Sequence, residues 1–67
     1  MINNMRILGI DYGDVRTGVA ITDPLGITAQ GLKTINSQNS DRILLRELEE
    51  IVTEYNVEKI VILFIIV

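Results

Sequence analysis

The chain contains no cysteine and no histidine among its 67 residues. These two absences exclude disulfide bonds, cysteine nucleophiles, histidine general bases and the usual zinc sites. Any polar chemistry must therefore come from carboxylates, hydroxyls, amides and the six cationic side chains.

Long hydrophobic runs are also lacking. The longest spans Ile60–Val67, far short of the roughly 20 residues that a transmembrane helix needs. The segment Met1–Arg6 has neither the apolar core nor the small-residue cleavage site of a signal peptide. We therefore expect a cytoplasmic protein that does not bind membranes.

Basic residues are few and scattered, and the formal net charge is −3. Proteins that bind nucleic acids are usually basic, because neutralising phosphates releases counterions. Charge alone therefore counts against strong affinity for nucleic acid. The apolar content of 48% indicates a folded unit, and a chain of this size forms one small domain at most.

The hydrophobic pattern predicts five elements in the order β-β-β-α-β. We expect strands over Met5–Ile10, Arg16–Thr22, about Thr28–Ile35 and Lys59–Val67, and a helix from Ser40 or Asp41 to Tyr55. A right-handed crossover after the helix places the last strand beside the first. The predicted fold class is α/β, with a mixed sheet in the order 3-2-1-4 and the first strand in a central position.

Asp11 follows this central strand at its carboxyl end, where α/β sheets tend to hold ligands. A carboxylate there attracts a hard cation such as Mg²⁺. Gly13 would let a phosphate approach the turn backbone closely, and Arg16 could steer that phosphate. In the alternative interpretation Asp11 starts an Asx turn, Gly13 supplies positive φ, and Arg16 is solvated.

The remaining polar residues favour structural roles. We expect Tyr12 to cover the end of the hairpin, although it could stack on a base. Asp14 and Asp23 are typical turn formers, and Asp23-Pro24-Leu25-Gly26 predicts a type I turn. The glutamates of the helix are expected to form a solvent-exposed face.

The motif Gly9-x-Asp11-x-Gly13-x-x-Arg16-x-Gly18-x-Ala20, followed by Thr22-Asp23-Pro24, resembles the start of the YqgF family. The members of this family are pre-16S rRNA nucleases, also described as Holliday-junction resolvase-like proteins. The resemblance continues through Thr34-Ile35 and the helix to about Ile62.

The resemblance implies a small cytoplasmic bacterial protein with a ribonuclease H-like fold. Its expected activity is cleavage of phosphodiester bonds at the 5′ end of pre-16S rRNA during ribosome biogenesis. By this resemblance Asp11 is the first catalytic carboxylate and a ligand of Mg²⁺ or Mn²⁺, and Gly13 and Arg16 contact the substrate. The expected partner is RNA or branched DNA.

The chain departs from the family after the fourth strand. Members continue into a Gly-x-Pro loop and further acidic residues, whereas this sequence reads Ile62–Val67 and stops. We therefore expect residues 1–67 to be the N-terminal half of a single ribonuclease H-like domain, truncated by a frameshift or premature stop. Two-metal hydrolysis needs several carboxylates, so the chain itself is expected to bind metal weakly and to be inactive.

Two alternative functions remain. The hairpin could be the phosphate-binding loop of an ATPase of the actin, Hsp70 and sugar-kinase type, or the chain could be a non-enzymatic fragment.

The last strand is apolar, uncharged after Lys59 and free of proline, the profile of an aggregation-prone segment. We therefore expect self-association through this C-terminal strand.

Overall fold

The computed structural model describes residues 5–63. Its elements are β1 (Ile7–Asp11), β2 (Arg16–Thr22), β3 (Ala29–Asn36), α1 (Asp41–Tyr55) and β4 (Lys59–Leu63). The strands form one sheet in the order β3-β2-β1-β4. The sheet is mixed, because β2 is antiparallel to both β1 and β3 whereas β4 is parallel to β1. The predicted α/β class, element order and strand order are confirmed.

The core lies between α1 and one face of the sheet. The alternation of β2 shows this arrangement, because Thr17, Val19 and Ile21 point inwards and are buried, whereas the residues between them are less buried. The buried apolar side chains of the core are Leu8, Ile10, Val19, Ile21, Ile35, Leu44 and Ile51. Each such side chain contributes about 1.5–3 kcal/mol when it is removed from water.

Both ends of α1 are capped. Ser40 is the N-cap, and its hydroxyl accepts a hydrogen bond from the backbone N–H of Ile43 at 3.3 Å. Asn56 ends the helix in the left-handed conformation with φ of 53°, and its N–H donates to the Val52 carbonyl. Ser40, not Asp41, is therefore the cap, and Asp41 occupies the first turn, where the helix dipole favours a carboxylate.

β3 contains an irregularity that the sequence pattern does not reveal. Val19 pairs with Lys33 and Ala20 pairs with Gly31, so Leu32 is an extra residue on β3. The Lys33 ammonium lies 3.1 Å from a carboxylate oxygen of Glu47 on α1. Glu47 is thus an ion-pair partner of the sheet, whereas we expected a purely solvated glutamate.

β4 is parallel to β1, as expected, but all five of its residues are exposed. No element therefore covers Lys59–Leu63 in the described part of the chain. The rest of the predicted strand, residues 64–67, lies outside the described residues. Within residues 5–63, no helix is long and apolar enough to cross a membrane.

The turn between β2 and β3 is organised by Asp23. Its backbone carbonyl accepts from the Gly26 N–H at 2.9 Å, and Gly26 has φ of +72°. Its carboxylate accepts from the N–H groups of Leu25, Ile27 and Thr28 and from the Thr28 hydroxyl. These hydrogen bonds, that of the Thr28 hydroxyl first, lower the pKa of Asp23 below its ordinary value. The turn-forming role predicted for Asp23 is confirmed.

This lowered pKa predicts a pH-dependent contribution to stability. Because the folded state holds Asp23 ionised, the contribution is complete above the unfolded pKa near 3.8 and is lost as pH falls through the lower folded value. Asp23→Asn should therefore lower the melting temperature at pH 7, and the difference from the parent chain should shrink towards pH 2. Thermal unfolding followed by circular dichroism measures both values.

The control is Glu49→Gln, which removes an exposed carboxylate from α1. Its effect on melting temperature should be small at both pH values. An Asp23→Asn effect that stays constant between pH 7 and pH 2 would contradict the assignment.

Candidate functional site

Asp11 is the last residue of β1 and lies between two strands. Its backbone is opposite Gly18 of β2 and Leu63 of β4. Because Leu8 and Ile10 of the same strand point into the core, the alternation of the strand directs Asp11 to the other face. Asp11 is exposed there, at the carboxyl end of a central strand, as predicted.

We call this side of the sheet, opposite α1, the open face. No element among residues 5–63 covers it. A depression of about 570 Å³ crosses this face beside Asp11, lined both by small residues and by larger ones such as Leu32 and Leu63. The small residues that line it are Gly9, Gly18, Ala20 and Gly31. An extended ligand can therefore approach Asp11 along the small residues, with Leu63 of β4 beside it.

The Asp11 carboxylate has no hydrogen-bond or ion-pair partner in the described part of the chain. The alternative in which Asp11 starts an Asx turn thus has no supporting hydrogen bond there. An ionised carboxylate offers about four lone-pair positions. All of them are available to solvent or to a ligand.

Gly13 is needed for a reason other than the positive φ suggested by the alternative interpretation. Among the described glycines only Gly26 has positive φ. At Gly13 a Cβ would overlap the Arg16 carbonyl oxygen. The fully buried Thr17 hydroxyl accepts from the Gly13 N–H at 3.5 Å and lies 3.4 Å from the Gly13 carbonyl oxygen. The loop after Asp11 therefore closes tightly on the start of β2.

The loop between β3 and α1, residues 37–40, supports this hairpin loop. The buried Ser37 donates both its N–H and its hydroxyl to the Val15 carbonyl, at 3.0 and 3.5 Å. The Asn39 N–H donates to the Asp14 carbonyl at 2.9 Å. The backbone on the carboxyl side of Asp11 is thus fixed by hydrogen bonds to a distant segment.

The supporting loop has a conformation that the sequence analysis missed. Gln38 and Asn39 both have positive φ, 50° and 65°, and the Ser40 N–H donates to the Ser37 carbonyl at 2.8 Å. Positive φ at both central positions is typical of a type I′ turn. Asn39 is a recognised signal for such a turn, but Gln38 is not, so the pattern reads only as a polar loop.

Arg16 begins β2 and lies on the open face, two residues before Gly18. Because Asp11 is directly opposite Gly18, Arg16 is its diagonal neighbour in the hairpin. The Cα atoms of such diagonal neighbours are about 7–8 Å apart. Within residues 5–63 the ion pair formed is Lys33–Glu47, so Arg16 is not tied to Asp11. The structure therefore brings Asp11, Gly13 and Arg16 to one end of the sheet.

Tyr12 points away from this face, towards the start of α1. Its hydroxyl donates to Asp41 at 3.4 Å. The negative charge of Asp41 is the main reason that the pKa of Tyr12 is raised. This contact supports the interpretation of Tyr12 as a cover for the hairpin end.

The described residues do not complete a catalytic metal centre. No group of three or more aspartate, glutamate, histidine or cysteine side chains within residues 5–63 could share an ion. Two-metal hydrolysis needs several carboxylates that hold ions about 4 Å apart. Asp11 fits one ligand of a hydrated Mg²⁺, because magnesium usually retains several waters.

Comparison with known proteins identifies the family of this chain. Residues 5–63 match the RuvX family, described as Holliday junction resolvase. The chain belongs to this family. The match confirms the resemblance carried by the Gly9-to-Ala20 motif, and it agrees with a ribonuclease H-like α/β fold rather than with the ATPase alternative.

The chain is also similar to bacterial proteins named "Putative pre-16S rRNA nuclease". It is 60% identical to that of Ruminiclostridium cellulolyticum over 58 residues, 50% to that of Acetivibrio thermocellus over 60, and 58% to that of Clostridium tetani over 57. These alignments cover 87%, 90% and 85% of this chain but 41%, 43% and 41% of the relatives. The chain thus spans less than half the length of these relatives.

The tight loop after Asp11 gives a prediction with a matched control. Gly13→Ala should destabilise the fold by about 1–3 kcal/mol, because the new Cβ forces the Arg16 carbonyl to move. Gly31→Ala, where a Cβ meets nothing within 4 Å, should cost much less. Urea unfolding compares the two variants, and equal losses would contradict the role given to Gly13.

Proposed function

We propose that the chain is the N-terminal part of a metal-dependent endonuclease that processes the 5′ end of pre-16S rRNA in the cytoplasm. One observation carries the proposal. Asp11 presents a carboxylate without a partner among residues 5–63, at the carboxyl end of β1 and on an uncovered face. The names of the RuvX family and of the relatives support a nuclease that acts on structured nucleic acid.

Each of the three residues at this end of the sheet has a proposed role. Asp11 holds Mg²⁺ or Mn²⁺ through its carboxylate, while water completes the coordination. Arg16 binds a phosphate of the substrate, since a guanidinium matches two phosphate oxygens at once. Gly13 leaves the backbone of the loop accessible to the same strand of nucleic acid. When bound, the metal polarises a phosphoryl oxygen.

The surface around Asp11 suits such a substrate. A single strand of RNA needs a groove or platform on which its backbone can lie close to the protein. The small residues of the open face form part of such a platform next to Asp11, and Leu63 borders it. Arg16 stands at the same end of the platform, where it can fix the position of a phosphate.

The 67-residue chain is proposed to be inactive by itself. Asp11 is one carboxylate, and Asp14 and Asp23 lie in turns, where Asp23 is already bound by Leu25, Ile27 and Thr28. In the relatives, more than half of the protein lies outside the region matched by this chain. We propose that further metal ligands of the active enzyme come from that part.

The proposed metal ligand predicts weak, localised binding. In amide NMR spectra, Mg²⁺ should shift and Mn²⁺ should broaden the signals of Asp11 and Gly13, with a dissociation constant of about 1 mM or weaker, because one carboxylate holds a hydrated ion loosely. Asp11→Asn should abolish the effect. Asp14→Asn, a nearby exposed carboxylate on the hairpin loop, should preserve it. Shifts centred on the glutamates of α1 would place the ion elsewhere.

The proposed activity is tested by comparing two proteins on pre-16S rRNA and on branched DNA. The full-length Ruminiclostridium cellulolyticum relative should cleave in Mg²⁺, and Asn at its residue aligned to Asp11 should reduce cleavage to background. The 67-residue chain should not cleave either substrate. Metal-dependent cleavage by this chain that is lost on Asp11→Asn would refute the proposed inactivity, and cleavage of branched DNA alone would refute the proposed substrate.

A further inference from the structure

β4 leaves one of its edges without a strand among residues 5–63, because its neighbour on the other edge is β1. Alternate N–H and C=O groups along an outer edge of this kind are available for pairing. The side chains are apolar and accessible, since the exposed fractions are 48% for Ile60, 46% for Val61, 51% for Ile62 and 59% for Leu63. Natural edge strands are usually protected by charges, proline or bulges, and β4 has only Lys59 at its first position.

We propose that two copies of this chain associate through β4, antiparallel and with a two-fold axis at Val61. The two four-stranded sheets would then join into one continuous sheet. This inference is independent of the proposed nuclease activity, since it depends on the edge of the sheet and not on Asp11.

Charge and symmetry favour the antiparallel arrangement. With the axis at Val61, Lys59 of each copy lies opposite Leu63 of the other, and Ile60 lies opposite Ile62. No two charges then face each other. A parallel pair in register would instead place the two Lys59 ammonium groups side by side, which is destabilising. The antiparallel pair also closes on itself, as the contacts of a two-fold dimer must.

The two faces of β4 match in this arrangement as well. Residues directly opposite in an antiparallel pair share one face of the sheet. By their pairing with Leu8 and Ile10, Ile60 and Ile62 lie on the α1 side. There Ile62 borders an apolar groove of about 300 Å³, also lined by Leu44 and Leu48. Pairing would therefore remove apolar side chains of both copies from water beside this groove.

The interface would be small, with five residues of β4 from each copy at its centre. Interfaces of this size give weak or transient complexes. The expected behaviour is a reversible equilibrium between monomer and dimer that depends on concentration.

Sedimentation velocity of the 67-residue chain, from about 5 to about 500 µM, tests the equilibrium over the range of a weak complex. Val61→Lys places two like charges opposite each other on the axis and should raise the dimer dissociation constant at least about tenfold. Ile27→Lys makes the same charge change in the turn between β2 and β3, at a side chain that is 76% exposed, and should leave the equilibrium unchanged. Amide NMR spectra verify that both variants fold.

Introduced cysteines test the register, because the chain has none of its own. Opposite residues of an antiparallel pair have Cα atoms about 4.5–5.5 Å apart, within reach of a disulfide. Val61→Cys should thus form a linked dimer readily on mild oxidation. Ile60→Cys places its two thiols diagonally, with Cα atoms about 7–8 Å apart, and should link much more slowly.

Three results would overturn the inference. The first is a monomer throughout the concentration range, which would leave the edge to another occupant such as a segment of a longer chain. The second is association that Val61→Lys does not weaken. The third is Val61→Cys linking no faster than Ile60→Cys.

Discussion

β1 is paired along both of its edges, to β2 in one direction and to β4 in the other. Its side chains alternate between the core, where Leu8 is fully buried and Ile10 nearly so, and the open face, where Asp11 is exposed. A strand that slipped by one residue would bury Asp11 and expose Ile10. The apolar core therefore determines where the Asp11 carboxylate points, although no core side chain forms a hydrogen bond with it.

The hairpin that follows Asp11 adds a second constraint. Two buried hydroxyls act on it, those of Thr17 and Ser37, which contact the Gly13 and Val15 backbones. Buried hydroxyls are stable only when they are hydrogen-bonded, so each one selects a narrow set of loop conformations. The loop beside the candidate site is consequently supported from both β2 and the segment after β3, and does not depend on a ligand for its shape.

Local chemistry made much of the fold predictable. The start of α1 at Ser40 and the turn at Asp23 each depend on residues close in sequence, and each was found as expected. Asp11 was also predictable, because a buried strand followed by an acidic turn determines its position. The features that were missed depend on contacts between distant segments.

Lys33 and Gln38 illustrate this limit. The extra residue Leu32 places Lys33 opposite Val19, on the side of the sheet where α1 lies, and Lys33 forms its ion pair there. The hydrophobic pattern of β3 does not predict this irregularity. The positive φ of Gln38 is accompanied by hydrogen bonds from this loop to the backbone carbonyls of Asp14 and Val15 in the distant hairpin. In the same way, one carboxylate in the sequence could indicate a metal ligand but could not supply the partners that a complete site needs.

The fold shows which element carries the net charge of −3. α1 carries five acidic and two basic side chains, a difference of −3 that equals the net charge of the whole chain. The acidic and basic residues outside α1 therefore balance. Glu49, Glu50 and Glu54 are exposed on α1, which lies on the opposite side of the sheet from Asp11.

A helix is about 10 Å wide, and charges interact only weakly beyond the screening length of about 8 Å at physiological salt. A nucleic acid that approached the open face would meet Arg16 and Asp11 before it experienced the glutamates of α1. A divalent ion on Asp11 would reverse the sign of the carboxylate's local charge. The acidic composition, which argued against nucleic-acid binding for the chain as a whole, is therefore no barrier to it on the face where Asp11 lies.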